Sequence, residues 1–320
     1  MSATAKWQFA KSVLLVAVVA AAGACSKPAE DSVDKTAQDQ ARQVAFSRDL
    51  EQWRSQRVAN LTRPDGWTSV VGLHWIDPGP HYFGASAGNG IQLAVGPEHF
   101  GMIDLNNGHL RFVPEKGLVV TLDGEPLKGA TELRADDSPT GPSVLAFDEG
   151  KGLVTVIKRG DRYALRVKHA DAQSRTGFRG IEYWPASTDW KVQAHYVPHP
   201  PGKTLPIANI IGITEEVPNP GALEFERGGK QYRIEALDEG ADTLFLVFAD
   251  RTSGHGSYPA GRFLDAPKPG ADASVTLDFN QAYNPPCAFT AFATCPLPPP
   301  ENRLDLAINA GEKTYAHATP

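Results

Sequence analysis

Proline limits what the C-terminal part of this chain can become. From Leu277 to Leu304 the sequence reads LDFNQAYNPPCAFTAFATCPLPPPENRL, with six prolines, three asparagines and two of the three cysteines of the chain. Each proline ring removes a backbone donor and fixes φ, so no regular helix or ladder strand passes through Pro285-Pro286 or Pro298-Pro299-Pro300. The run is a shaped loop. Long irregular loops in compact domains are either functional or disordered, and Tyr283, Phe289, Phe292, Leu297 and Leu304 supply the apolar anchors that order needs. A functional site is expected beside it.

The opposite end reads as an export signal, residues 1–24. Lys6 and Lys11 give a positive start, Ser12 to Ala22 an apolar core too short to span a bilayer, and small residues follow. Ala22-Gly23-Ala24-Cys25 resembles a bacterial lipobox, which implies lipidation of Cys25; the alternative is an ordinary signal cut near Ala22 or Ala24. Ser26 and Lys27 point to outer-membrane sorting, with the protein facing the periplasm. Residues 25–39 are small, polar and charged, and read as a flexible tether.

The whole chain is formally −6; after loss of Lys6 and Lys11, 29 basic side chains face 37 acidic ones, a formal −8. No Lys/Arg stripe offsets this, which argues against nucleic acid as a partner. Residues 40–320 form either one large β-domain or two smaller ones with a boundary in the Pro-rich stretch 197–206. Oligomeric state is not legible.

Thr36 to Leu61 predicts a helix, because Phe46, Leu50, Trp53 and Arg57 recur at steps of three and four without Pro or Gly. Trp67 to Ile76 predicts one or two short buried strands broken by Gly72. From there to Phe248 short β-runs alternate with turn signals such as Asn107-Gly108, Gly160-Asp161 and Gly228-Gly229. The fold class is mainly β: an antiparallel β-sandwich or partly open β-barrel with an N-terminal helix and a long Pro-rich C-terminal loop.

Chemistry-bearing residues cluster late in the chain. Arg262, set between Pro259 and Phe263-Leu264, must find an anionic or carbonyl partner if half-buried. Asp278, Glu301 and Arg262 are the candidate catalytic groups, with a carboxylate as general acid or base of a hydrolysis. Asp250, Thr252, Tyr258, Arg262, Asn280, Tyr283, Asn284, Asn302, Arg303 and Glu312 are the candidate ligand-binding groups. The competing reading makes the same side chains an internal network of ion pairs and Asn-to-backbone bonds. His255 and Ser257 rank lower.

Cys287 and Cys295 have seven residues between them, which is not zinc-knuckle spacing. In an oxidising compartment a disulfide is favoured, with free thiols and metal ligation as alternatives. No cofactor is expected, and His74, His195 and His199 lack ligand spacing. The expected ligand is a small anion. A non-catalytic envelope interaction module and a Cys/His metal protein are the alternatives.

Several of these stretches carry a family resemblance: Gly66-Trp67 with Val71-Gly72-Leu73-His74-Trp75, Tyr258-x-x-Gly261-Arg262-Phe263-Leu264, Leu277-Asp278-Phe279-Asn280 through Asn284-Pro285-Pro286-Cys287, Thr294-Cys295-Pro296-Leu297-Pro298-Pro299 and Ala310-Gly311-Glu312-Lys313. From about Trp53 to Lys313 the chain is similar to the bacterial and archaeal domain-of-unknown-function family 1684. The resemblance implies a single family unit, with Asp250, Arg262, Asp278, Asn284, Cys287, Cys295, Glu301 and Glu312 in family motifs. It implies no activity.

Overall fold

Hydrophobic alternation interrupted by positive-φ turns builds this protein. The computed structural model describes residues 29–316. The segment read as an export signal and Cys25 lie outside the described residues, as does the start of the segment read as a tether. From Ala29 on that segment is helical, because the helix runs Ala29–Leu61 rather than starting at Thr36. Nothing between Ala29 and Leu61 stops it: there is no Pro or Gly, and Ala, Gln, Glu, Lys and Arg are good helix formers. Residues 29–45 belong to one compact unit and the chain from Phe46 onward to another. Within the latter, Phe46, Leu50 and Leu61 are buried, and Trp53, Arg54, Arg57 and Val58 are half-buried. That is the predicted stripe.

Two sheets share the first β-core. Val70–Ile76 begins a six-stranded sheet whose next strands are Arg162–His169, Gly152–Arg159 and Val144–Phe147. A five-stranded sheet centres on Gly79–Gly84, Gly101–Asn106 and His109–Pro114. Phe83, Phe100 and Phe112 have no exposed surface, and Phe83 stacks on Phe100 at 5.0 Å. Burying such a ring contributes about 1.5–3 kcal/mol. The Asn107-Gly108 hairpin has φ of 51° and 81°, as its turn type requires. Gly72 marks the register shift of a bulge in one strand rather than a break between two.

The second core lies under a four-stranded sheet, in order Lys230–Ala236, Gly221–Arg227, Lys191–Pro198 and Ser274–Asp278. It also takes in the pair Thr243–Phe248 and Arg262–Pro267. Apart from the short parallel contact of Gly79–Gly84 with Ile91–Gln92, the named strand pairs are antiparallel, and no barrel closes among the described residues. The stretch 197–206 holds the end of Lys191–Pro198 and the start of Thr204–Ala208. Pro198 closes the first of these strands, Pro200 and Pro201 fall in the turn between them, and Pro206 sits in a two-stranded sheet, where every strand is an edge.

The proline-rich run is ordered. Short 3-10 turns at Phe279–Gln281, Pro286–Ala288 and Pro300–Asn302 carry it, and its backbone groups are taken up by neighbours. Tyr283 and Phe263 exchange both backbone bonds, Ile210 N donates to Cys295 O at 2.9 Å, and Leu304 N donates to Ala249 O at 2.8 Å. A loop without ladder partners of its own borrows them from Phe263 within a strand and from Ala249 and Ile210 just past the ends of two others.

Candidate functional site

The residues predicted to carry chemistry separate into several neighbourhoods. Arg262 is 1 % exposed. It faces Asp250 at 3.4 Å and donates to Ile308 O at 2.9 Å and to Ala310 O. Asp250 in turn accepts from Ile308 N at 2.6 Å and from Thr252 Oγ1 at 2.9 Å. Burial lowers the Arg262 pKa and Asp250 counters that. The result is a dry knot that pins residues 308–310.

Asp278 belongs elsewhere. Its Oδ1 accepts from Asn280 N and Nδ2, and Lys191 Nζ lies 4.0 Å from Oδ2. It ends a strand as a cap for the following turn. Glu301 is exposed. No hydrogen bond or ion pair joins Arg262, Asp278 and Glu301 into the expected acid–base group: the first two are taken up by partners of their own, and Glu301 faces solvent. Asn280 bonds both backbone groups of Ser187, and Asn302 bonds Glu235 N, Glu235 O and Val247 O. Arg303 donates to Pro298 O at 3.3 Å, and Tyr258 Oη to Cys287 O at 3.2 Å. Asn302 ties its loop to two strands, and the other three tie loop to loop.

Asn284, Tyr283 and Glu312 do come together, around a residue the sequence placed only in a helix stripe. Arg57 Nε donates to Glu312 Oε1 at 2.8 Å, and its Nη2 donates to Asn284 O at 2.8 Å. Glu312 Oε2 accepts from Asn284 N at 2.7 Å. The guanidinium lies 4.6 Å from the Tyr283 ring centroid and 5.6 Å from that of Phe289, within cation–π range. Gly311 aims Glu312 inward: its φ is +78°, and a Cβ there would stand 2.4 Å from Ala282 O. Only glycine fits so close an approach.

Beside this group opens a cavity of about 440 Å³ lined by Arg57, Asn60, Arg63, Asp65, Trp67 and Lys168, among others. Arg63 pairs with Asp65 through two bonds of 2.9 and 3.0 Å. Slight burial pushes the Asp65 carboxyl up, but Arg63 outweighs it and the pKa falls below the usual carboxylate range. Lys168 Nζ donates to the backbone oxygen of Asp65 at 2.6 Å. Burial lowers its pKa, and Arg166 and Arg63 add to that against Asp65. Glu312 balances Arg57 and Asp65 balances Arg63, which leaves the Lys168 charge in excess. A larger hollow of about 870 Å³ at the hairpin tips is lined by Asp104, Asp161 and Lys158. Two carboxylates to one ammonium make it a poor anion site.

Behind Trp67 is Arg166, 8 % exposed, its guanidinium 5.0 Å from the indole centroid and its Nε and Nη2 without protein partners. Burial first, then Arg159, brings its pKa down to about 10. Cys287 and Cys295 are free thiols rather than the expected disulfide. Cys287 N donates to Cys295 Sγ at 3.1 Å.

Sequence reasoning missed Arg57, Arg63, Trp67, Arg166 and Lys168 as site residues. A signal existed for some: Arg57 occupies an apolar register of its helix, and Arg166 and Lys168 alternate on one face of a buried strand.

Residues 176–313 match the model of a family described as Protein of unknown function (DUF1684). Among solved structures, the solution NMR structure of an uncharacterized protein of Haloarcula marismortui is 31% identical, the match covering 44% of this chain and 79% of that one, with a TM-score of 0.37. No curated protein matches.

Proposed function

This chain belongs to the family described as Protein of unknown function (DUF1684), which carries no assigned activity, and we propose from its own site that it binds a small anionic ligand in the basic cavity beside Arg57. The observation that carries this reading is the excess half-buried Lys168 ammonium in a cavity whose two other cations are already paired. An ammonium has three donors, and one is used by Asp65 O. A carboxylate or phosphate at the cavity floor would take the others, and Trp67 offers an apolar surface to the rest of the ligand. The carboxylates at hand, Glu312 and Asp65, are committed to arginines, which supports binding over hydrolysis.

The proposal places the protein in the bacterial envelope as an outer-membrane lipoprotein anchored through Cys25 and facing the periplasm. The signal-like residues 1–24 and the lipobox-like Ala22 to Cys25 support it. In that compartment Cys287 and Cys295 are oxidisable to the disulfide that their sequence context favours. A second reading, a non-catalytic envelope interaction module, is favoured by the Arg262–Asp250 knot, whose two side chains are buried away from any opening to solvent.

Crystals soaked in selenate or tungstate test the binding reading by anomalous scattering. An anomalous peak within hydrogen-bond reach of Lys168 Nζ supports it. A cavity without a peak, in crystals that bind the ion elsewhere, favours the interaction module.

A further inference from the structure

We propose that Cys287 and Cys295 form a dithiol site that exchanges with disulfides, Cys287 being the attacking sulfur and Cys295 the resolving one. The inference rests on the thiol pair and its loop, not on the anion reading.

The pair is held at short range by the chain on both sides. Cys287 lies in the 3-10 turn Pro286–Ala288, and its backbone N donates to the Cys295 sulfur at 3.1 Å. The turn is closed by Ala288 N to Pro285 O at 2.9 Å. Cys295 is fixed by Ile210 N on its carbonyl at 2.9 Å and by the following Leu297 N on Ala208 O at 2.8 Å. The Cys295 sulfur thus stands directly against the turn that carries Cys287. Forming the S–S bond therefore asks for side-chain rotation rather than for a new loop path.

The two sulfurs are unequal, as attack and resolution require. Cys287 is half-buried, whereas Cys295 is 4 % exposed. The Cys295 hydrogen bond, helped by Tyr258 and opposed by burial, brings the Cys287 thiol down to about 7. Cys295 is pushed up by the same hydrogen bond and by burial, with Arg166 pulling the other way. The more accessible sulfur is thus the one that ionises first, which is the condition for a nucleophilic thiol. Arg166, with its unpaired Nε and Nη2, is the cation in electrostatic reach of the thiolate that appears on Cys295 during resolution.

The exchange balances without a metal. The Cys287 thiolate attacks one sulfur of a disulfide R–S–S–R, making a mixed disulfide and releasing R–S⁻. Cys295, its proton passing to the departing thiolate, then attacks the Cys287 sulfur, closing Cys287–Cys295 and releasing the second R–SH. The two protein thiols are oxidised and the external disulfide is reduced.

The probe is glutathione disulfide, added to the reduced full-length protein, with acid quench, alkylation and peptide mapping that separates Cys25 from the pair. The expected result is a single internal Cys287–Cys295 disulfide that dithiothreitol reverses in the folded protein. Cys295→Ser should trap glutathione on Cys287 at least about tenfold faster than Cys287→Ser traps it on Cys295. Limited iodoacetamide labelling of the folded wild type, which needs no variant, should mark Cys287 first. Thiols that stay unreacted in the native protein would overturn the proposal. So would labelling of Cys295 first, or a disulfide that resists reduction until the protein unfolds.

Discussion

Arg57 Nε meets Glu312 Oε1 at 2.8 Å across 255 residues of sequence. The Glu312 side chain has no exposed surface and the Arg57 side chain 16%. Removing one partner of a buried pair costs about 3–5 kcal/mol, since the survivor keeps its desolvation penalty. Glu312→Ala also strips an acceptor from Asn284 N. Arg57 retains some solvent and Asn284 O, so the loss should fall near the lower end of that range, read from the midpoint of urea unfolding. A variant that unfolds with the wild type would show the pair to be incidental.

The Arg262–Asp250 knot predicts a defect of stability without one of binding. Arg262→Met keeps the length of the side chain but leaves Asp250 buried without its cation and frees Ile308 O and Ala310 O. We expect a loss of about 3–5 kcal/mol in chemical denaturation. Anion affinity measured below the unfolding transition should match the wild type. A folded variant with weakened binding would move the site from the Lys168 cavity to the knot.

Stability should fall in acid through Glu235. Burial of this carboxyl opposes ionisation, but hydrogen bonds from His199 at 2.6 Å and Arg233 at 2.9 Å prevail, and its pKa is lowered. A carboxyl depressed in the folded state stabilises above its unfolded value, about 4.3, and loses that contribution as pH drops through the lower folded value. Unfolding free energies of wild type and Glu235→Gln, followed from about pH 6 to about pH 3, should differ most at the upper end and converge toward the lower. Parallel curves would remove Glu235 from the acid response.

Local patterns in the sequence carried much of the fold. The stripe Phe46, Leu50, Trp53, Arg57 gives the buried helix face, and Asn107-Gly108 gives its hairpin, because both depend on neighbours within a few residues. The proline run is the shaped loop its rings demand. The N-terminal helix boundary escaped because polar helix formers and tether residues have similar composition. The candidate site was hidden for a different reason. Arg57, Lys168 and Glu312 meet only after a helix, a central strand and the C-terminal tail have packed, and no sequence spacing encodes that meeting. Arg262 misled for the converse reason, since a guanidinium can be satisfied by a buried carboxylate and carbonyls as well as by a ligand.

The anion-binding claim is tested most directly by thermal unfolding at constant ionic strength with phosphate, sulfate, acetate, succinate or neutral glycerol, on wild type, Arg63→Ala and Lys168→Ala. The account predicts that at least one anion raises the wild-type Tm by about 2–4 °C per kcal/mol of linked binding, that glycerol does not, and that Lys168→Ala abolishes the shift. An equal shift in Lys168→Ala, or none with any anion in the wild type, would contradict it.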